Sequence, residues 1–283
     1  MLFKMSKKVS CSYDILGNLI IAKFPEGVKL RDKKKIAEDL IKEKNEVRTV
    51  VEKTGKFKGR LRKMETQHLA GVKSKEVLYK ENGCLFRFNI DDTYFSPRLS
   101  NERRELSEKI KKGDNVLVMF AGVGPLPIVV AKRFLEKHVS KKDRLAGKIL
   151  LKVYSVELNQ KASKYAEQNV KLNKLMDVVE VVQGDVVKVV PDFVKKKIRF
   201  DKILMPRPQL KDSFLKEAFA VSRKGTEIYY YDFCLEENVD LILNMIKDEA
   251  KKVGKKIKIL KSKKAGGNLA PGKIRLRVDF KVV

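Results

Sequence analysis

The sequence has little of what metal or thiol chemistry requires. Its 283 residues include two histidines, His68 and His138, and three cysteines, Cys11, Cys84 and Cys234. None stands at a spacing that would place two ligands on one metal ion, so a zinc module and any other metal site are excluded from the reading. So few cysteines also exclude a disulfide framework and point to a reducing compartment. The chain lacks a signal-peptide pattern and an apolar run long enough to span a bilayer, which predicts a soluble, cytoplasmic protein with no membrane partner. Acidic residues are in short supply: 36 Asp and Glu stand against 64 Lys and Arg, a formal net charge of +28. The excess is not a tail. Residues 1–112 carry 28 basic and 16 acidic residues, net +12, which leaves +16 for the remainder. A polyanionic partner fits such a chain, and nucleic acid is the first expectation.

What the sequence does have is concentrated in residues 114–125, DNVLVMFAGVGP. The apolar run at 116–120 reads as a buried strand, and residues 121–125 read as a glycine turn into a helix with apolar spacing across 128–134. Gly122 and Gly124 allow a ligand close to the backbone, because no Cβ intervenes. Strand, turn and helix in this order form a nucleotide-binding element in doubly wound α/β folds. Three further strands follow. Residues 149–158 carry Glu157 near the tip, residues 178–182 lead into Gly184-Asp185, and residues 200–205 end in Pro206-Arg207-Pro208. An acidic group at the tip of the second strand suits a ribose diol, and one after the third suits an exocyclic adenine amine. Both lie at carboxyl ends of strands, where open α/β sheets bind ligands. The dinucleotide fingerprint fails, since its third glycine would fall at Pro127.

Taken in order, residues 1–9 read as a frayed basic start, followed by a hairpin of 9–13 and 19–24 turning at Gly17-Asn18. Residues 31–44 predict an amphipathic helix and 47–52 a strand. Residues 53–63, rich in Lys, Arg and Gly, read as an exposed basic loop. Residues 77–80 and 85–90 pair around Asn82-Gly83. Ser100 is the expected N-cap of a helix over 101–112, and 137–148 is expected to be a basic surface loop. Beyond the fourth strand come a helix at 209–221, an aromatic strand at 226–233, a helix at 235–253 and a closing pair at 256–260 and 274–283.

The segments Lys80-Glu81-Asn82-Gly83, Tyr94-Phe95-Ser96-Pro97-Arg98-Leu99-Ser100-Asn101-Glu102-Arg103, Met119-Phe120-Ala121-Gly122-Val123-Gly124-Pro125 and Tyr229-Tyr230-Tyr231-Asp232-Phe233 resemble the archaeal and eukaryotic tRNA (guanine-37-N1) methyltransferases. The resemblance runs from about Ser12 onward, and the tyrosine–SPRL–ER segment is its most specific part. Many members carry a further N-terminal domain, which the chain is expected to lack. The resemblance implies an α/β fold: a class I, Rossmann-like, seven-stranded methyltransferase sheet over 113–283, preceded by a small α+β tRNA-recognition domain over 1–98 and a connecting helix over 99–112. It implies S-adenosylmethionine as donor, tRNA as partner, guanosine 37 as acceptor, and a monomeric enzyme. Arg103, Phe120, Gly122, Gly124, Glu157, Leu158, Asp185, Val186 and Pro206 would line the donor site. Glu102 would be the general base, Arg62 would hold the guanine carbonyl, and Tyr94 and Pro208 would pack on the extruded base. Arg60, Arg98 and Arg207 would meet RNA.

The chemistry agrees with these roles. Methyl transfer from a sulfonium is an in-line displacement, so catalysis is largely positioning. Guanine N1 carries a proton that a carboxylate such as Glu102 would remove, and the charge gathering on O6 would be met by a guanidinium such as Arg62. Reaching the atom requires unstacking the base, which aromatic platforms help offset. Two departures bear on the reading. The acidic residue that ends the first methyltransferase strand is Val118 here, and the Asn-Leu-Pro that often follows the fourth strand is Pro206-Arg207-Pro208. Loss of that amide opens the acceptor pocket to carbon 7 of the tricyclic wyosine precursor built on the same nucleotide. An aminocarboxypropyl transferase using the same donor, and a non-catalytic basic RNA-binding protein, are the alternatives.

Overall fold

The computed structural model describes residues 2–5, 9–55, 59, 64–207, 209–267 and 270–283. Contacts divide the chain into Met1–Pro97 and Arg98–Val283.

The first unit is a five-stranded sheet in the order β1 (Leu2–Met5), β2 (Val9–Leu16), β3 (Leu19–Lys23), β4 (Thr49–Lys53) and β5 (Thr66–Gly71), with a separate pair β6 (Glu76–Glu81) and β7 (Cys84–Asn89). The expected hairpin at Gly17-Asn18 is present as the antiparallel β2–β3 pair. Helix α1 (Leu30–Glu43) buries Ile36, Ala37 and Leu40 against Ile20, Val50 and Leu69, the apolar stripe its periodicity predicted. Two expectations are corrected here. The start of the chain is not simply frayed, because Leu2–Met5 pairs antiparallel with β2. Strand β5, which the residue pattern did not announce, pairs with β4. Both are short elements whose hydrogen bonds come from a neighbouring strand rather than from their own sequence.

The second unit holds a seven-stranded sheet. Its strands in chain order are β8 (Asn115–Met119), β9 (Lys152–Glu157), β10 (Val179–Gln183), β11 (Phe200–Met205), β12 (Ser222–Leu235), β13 (Ile257–Lys264) and β14 (Lys273–Val282). Their spatial order is β10-β9-β8-β11-β12-β14-β13. The first five run parallel, and β14 is antiparallel to both neighbours. The order reverses between β8 and β11, which creates a switch point where loops diverge to opposite faces. Strand β8 is buried from Val116 to Met119, as the continuous apolar run requires of a central parallel strand. The helices are α2 (Ser100–Ser107), α3 (Pro125–His138), α4 (Lys141–Leu145), α5 (Gln160–Leu172), α6 (Val186–Lys195), α7 (Leu215–Ala220) and α8 (Val239–Lys252).

Three helix expectations are corrected. A 3-10 turn at Pro97–Leu99 runs straight into α2, so Ser100 is the first helical residue and Leu99 stands at the cap position; the helix then stops at Ser107. The basic segment at 137–148 contains α4, capped by Ser140, whose Oγ accepts from Asp143 N. The helix expected over 209–221 is reduced to α7, preceded by Phe214 in the left-handed region at φ +58°. None of the helices among the described residues is long and apolar enough to cross a membrane.

Candidate active site

The carboxyl ends of β8, β9, β10 and β11 lie along one edge of the second unit's sheet, and each carries a loop expected to meet the donor. After β8 the chain enters the left-handed region at Phe120 (φ +59°), passes Gly122 (φ +58°) and caps α3 at Gly124 (φ +83°), with Pro125 at the first helical position. A left-handed phenylalanine costs roughly 1–2 kcal/mol and persists only where its surroundings hold it. Here the Phe120 ring meets Phe214 edge-on at 5.0 Å. Phe214 was absent from the sequence expectations, because only the fold brings the segment before α7 to this loop.

Glu157 closes the same loop from β9. Its Oε2 accepts from Gly122 N at 2.8 Å and its Oε1 from Asn159 N at 2.7 Å. Burial raises this carboxyl group above its ordinary value against the opposing pull of those backbone donors. Asn159 caps α5 by accepting from Lys161 N at 3.1 Å, and Leu158 lies partly buried between them. After β10, Asp185 Oδ1 accepts from Val187 N at 3.1 Å and so caps α6, while Val186 is buried in the core. The Glu157 and Asp185 carboxylates therefore sit at the tips of neighbouring strands. That donor set fits a nucleoside: an acidic acceptor for a ribose diol, a second for an amine, and a glycine turn for close backbone approach.

After β11, Pro206 lies at the centre of a tight turn in which Arg207 N donates to Met205 O at 2.7 Å. Arg207, expected to meet RNA, is instead turned into the fold. Arg207 is buried, its Nη2 donates to both oxygens of Asp232 at 3.0 Å, its Nε to Tyr230 Oη at 3.0 Å and its Nη1 to Leu210 O at 3.1 Å. A guanidinium so engaged has its charge compensated within the fold. It walls a groove of about 650 Å³ with Tyr230, Asp232, Phe214 and Met245.

Glu102 and Arg103 are both buried on α2, and Arg98 is exposed just before it. Glu102 Oε1 accepts from Tyr231 Oη at 2.8 Å and from Arg277 Nη1, and Oε2 meets Lys263 Nζ at 3.2 Å. Tyr231, Arg277 and Lys263 were not singled out as partners, since no local pattern ties three separate strands to one helix. Adjacent residues of β12 serve opposite faces, as the strand period demands: Tyr231 reaches Glu102, while Tyr230 and Asp232 reach Arg207. Tyr94 is half-buried in the first unit beside Phe95, whose ring stacks on Phe88 at 4.7 Å. Arg60, Arg62 and Pro208 lie outside the described residues. Thr54 N and Oγ1 both donate to Glu65 O at 3.1 Å. No group of side chains among the described residues is arranged to hold a metal ion.

The profile of the TRM5/TYW2 methyltransferase domain matches residues 77–260, and that of the TYW2 N-terminal domain matches residues 3–74. The chain belongs to the TRM5/TYW2 methyltransferase family. It is 33% identical over 272 residues to the tRNA (guanine(37)-N(1))-methyltransferase Trm5b of Pyrococcus abyssi, covering 96% of this chain and 74% of that one. To the tRNA (guanine(37)-N(1))/4-demethylwyosine(37)-methyltransferase Taw22 of Nanoarchaeum equitans it is 30% identical over 319 residues, covering 96% of this chain and all of the relative. Among solved structures, aTrm5 in complex with tRNALeu superposes with a TM-score of 0.78 at 28% identity, covering 97% of this chain and 73% of that one. The seven-stranded TRM5/TYW2 sheet, expected from the resemblance, is thus the sheet found.

Proposed function

We propose that this TRM5/TYW2 member transfers a methyl group from S-adenosylmethionine to nitrogen 1 of guanosine 37 in tRNA. The observation that carries the reading is the clasp of Glu157 on Gly122 at the switch point of a TRM5/TYW2 sheet, in a unit whose helix α2 also carries the buried Glu102. The donor, when bound, supplies an electrophilic methyl on a positively charged sulfur. The chain's own contribution is to hold and orient. Glu157 and Asp185 would take the nucleoside end, with Phe120, Gly122, Gly124, Leu158, Val186, Pro206 and Arg103 around it. Glu102 would accept the proton of N1. Arg62, Tyr94 and Pro208 would hold the extruded guanine, and Arg60 and Arg98 would meet the RNA backbone. Residues 1–98 would serve tRNA recognition. The same proposal takes the enzyme as a monomer acting in the cytoplasm.

A second acceptor is favoured by the Pro206 turn. Where an amide would face the base, this chain has a proline, and the next side chain, Arg207, is drawn into the fold by Asp232. The turn therefore offers the acceptor apolar surface rather than a hydrogen-bonding edge. This suits carbon 7 of 4-demethylwyosine, which is named for the Taw22 relative. The test is transfer of labelled methyl to two tRNAs, one with guanosine 37 and one with the tricyclic precursor, followed by nucleoside mass analysis. Product on both supports the dual reading, and product on guanosine alone removes the second acceptor. An aminocarboxypropyl product instead of a methyl product would overturn the methyltransferase reading.

A further inference from the structure

Beneath Glu102 three side chains form one row across the sheet. Tyr231 on β12 is the register partner of Arg277 on β14, and Arg277 is in turn the register partner of Lys263 on β13. Tyr231 and Arg277 donate to the carboxylate of Glu102, and Lys263 forms an ion pair with it. We propose that Tyr231 and Arg277 are positioning residues that occupy Glu102 Oε1 and thereby dedicate Oε2 to the proton leaving the acceptor base. This rests on Glu102 being the base, as argued above.

A carboxylate oxygen has two lone-pair directions. On Oε1 both are filled, by the Tyr231 hydroxyl at 2.8 Å and by Arg277 Nη1. Oε2 accepts no hydrogen bond among the described residues and meets Lys263 Nζ as an ion pair at 3.2 Å, so lone-pair capacity remains for a proton. The donors on Oε1 cannot drift. Arg277 is wholly buried, and its guanidinium is fixed on its other edge: Nε donates to Asp279 Oδ1 at 2.7 Å, and Nη2 to Asp279 Oδ2 at 2.8 Å and Glu105 Oε1 at 2.9 Å. Burial first, and the Glu102 charge after it, push the Tyr231 phenol well above its ordinary value, so it stays an O–H donor at any working pH. Lys263 differs, for it is partly exposed and shared with Glu105 Oε2, so it can shift as charge on Oε2 changes.

The step balances as follows. The N1–H bond breaks and its proton goes to Oε2. The electron pair left on N1 forms the bond to the methyl carbon. The carbon–sulfur bond breaks with its electrons on sulfur, and the sulfonium becomes a neutral thioether. The charged and titratable groups around the carboxylate are Tyr231, Arg277 and Lys263 from the three strands, Glu105 and Arg103 on its own helix, and Asp279 behind Arg277.

The experiment measures kcat against pH, KM for tRNA, calorimetric affinity for S-adenosylmethionine and thermal unfolding for three variants of the full chain. Tyr231→Phe removes one neutral donor from Oε1. It is expected to lower kcat about tenfold and to move the acid limb of the kcat profile up by about one pH unit, with KM and cofactor affinity unchanged. Arg277→Lys keeps the charge and loses the fork, so a larger kcat loss is expected; should it unfold, Tyr231→Phe carries the test alone. Glu102→Gln is the reference. If Glu102→Gln is inactive while Tyr231→Phe keeps the wild-type kcat and acid limb, the positioning role is overturned and the base stands. If Glu102→Gln stays active, the base reading falls, and the positioning role with it.

Discussion

Arg207 and Asp232 form a buried ion pair in which one guanidinium nitrogen, Nη2, donates to both carboxylate oxygens at 3.0 Å. Tyr230 completes the cluster, donating its hydroxyl to Asp232 Oδ2 at 2.9 Å while accepting from Arg207 Nε. The cluster ties the turn after β11 to the middle of β12.

Removing one partner strands the other. Arg207→Ala leaves the Asp232 carboxylate buried with two neutral donors, the Tyr230 hydroxyl and the Phe233 amide, and a loss of about 3–5 kcal/mol is expected because an uncompensated buried charge remains. Arg207→Leu combined with Asp232→Asn should recover much of that loss, since the charge is gone from both sides. Urea unfolding of the wild type and the two variants checks this. A fall in tRNA affinity with full stability would instead restore Arg207 to the RNA surface.

Gly124 stands at φ +83°, and a Cβ there would lie 3.1 Å from Ile128 Cδ1 and 3.4 Å from Ala166 Cβ. Gly124→Ala is expected to destabilise the protein by about 1–2 kcal/mol, chiefly from the left-handed backbone. Because the strain falls in the turn proposed to cradle the donor, S-adenosylmethionine affinity should fall with it. Thermal melts and calorimetry measure the two effects separately.

Glu105 supplies a pH dependence. Burial alone would raise its carboxyl group, but hydrogen bonds and charge from Lys263 and Arg277 outweigh this and hold it at about 2 against an ordinary 4.5. A folded value below the unfolded one means that the stabilisation is present above about 4.5 and is lost as pH falls toward 2. The carboxylate is partly exposed, so solvent screening reduces the effect. Acid unfolding followed by circular dichroism should show a shallower decline through that window for Glu105→Gln than for the wild type.

The excess of 64 basic over 36 acidic residues predicts a steep salt response. Each phosphate neutralised releases condensed counterions, so the logarithm of tRNA affinity should fall linearly with the logarithm of salt concentration. Filter binding from low to physiological salt tests this, and a flat response would remove the electrostatic argument. Arg207→Leu should leave the slope unchanged, because that guanidinium is spent on Asp232.

The sequence by itself determined the elements whose signals are local. The buried run of β8, the glycine turn after it, the aromatic run of β12 and the amphipathic stripe of α1 follow from continuous apolar or aromatic runs, from the 3.6-residue period and from the conformational freedom of glycine. These were enough to place Gly122, Glu157 and Asp185 at strand tips along one edge. The tertiary structure alone decided what depends on partners distant in the chain. Ser100 has the right residue type for a cap, yet the preceding 3-10 turn makes it helical. Arg207 looks like a surface cation in sequence, but Asp232, 25 residues away, neutralises it in the core. Glu102 could be nominated from its motif, whereas the orientation of its carboxylate is set by Arg277, 175 residues away, with Tyr231 and Lys263 on two further strands. Propensity and spacing act over a few residues; a buried charge is compensated only by whatever the fold brings beside it.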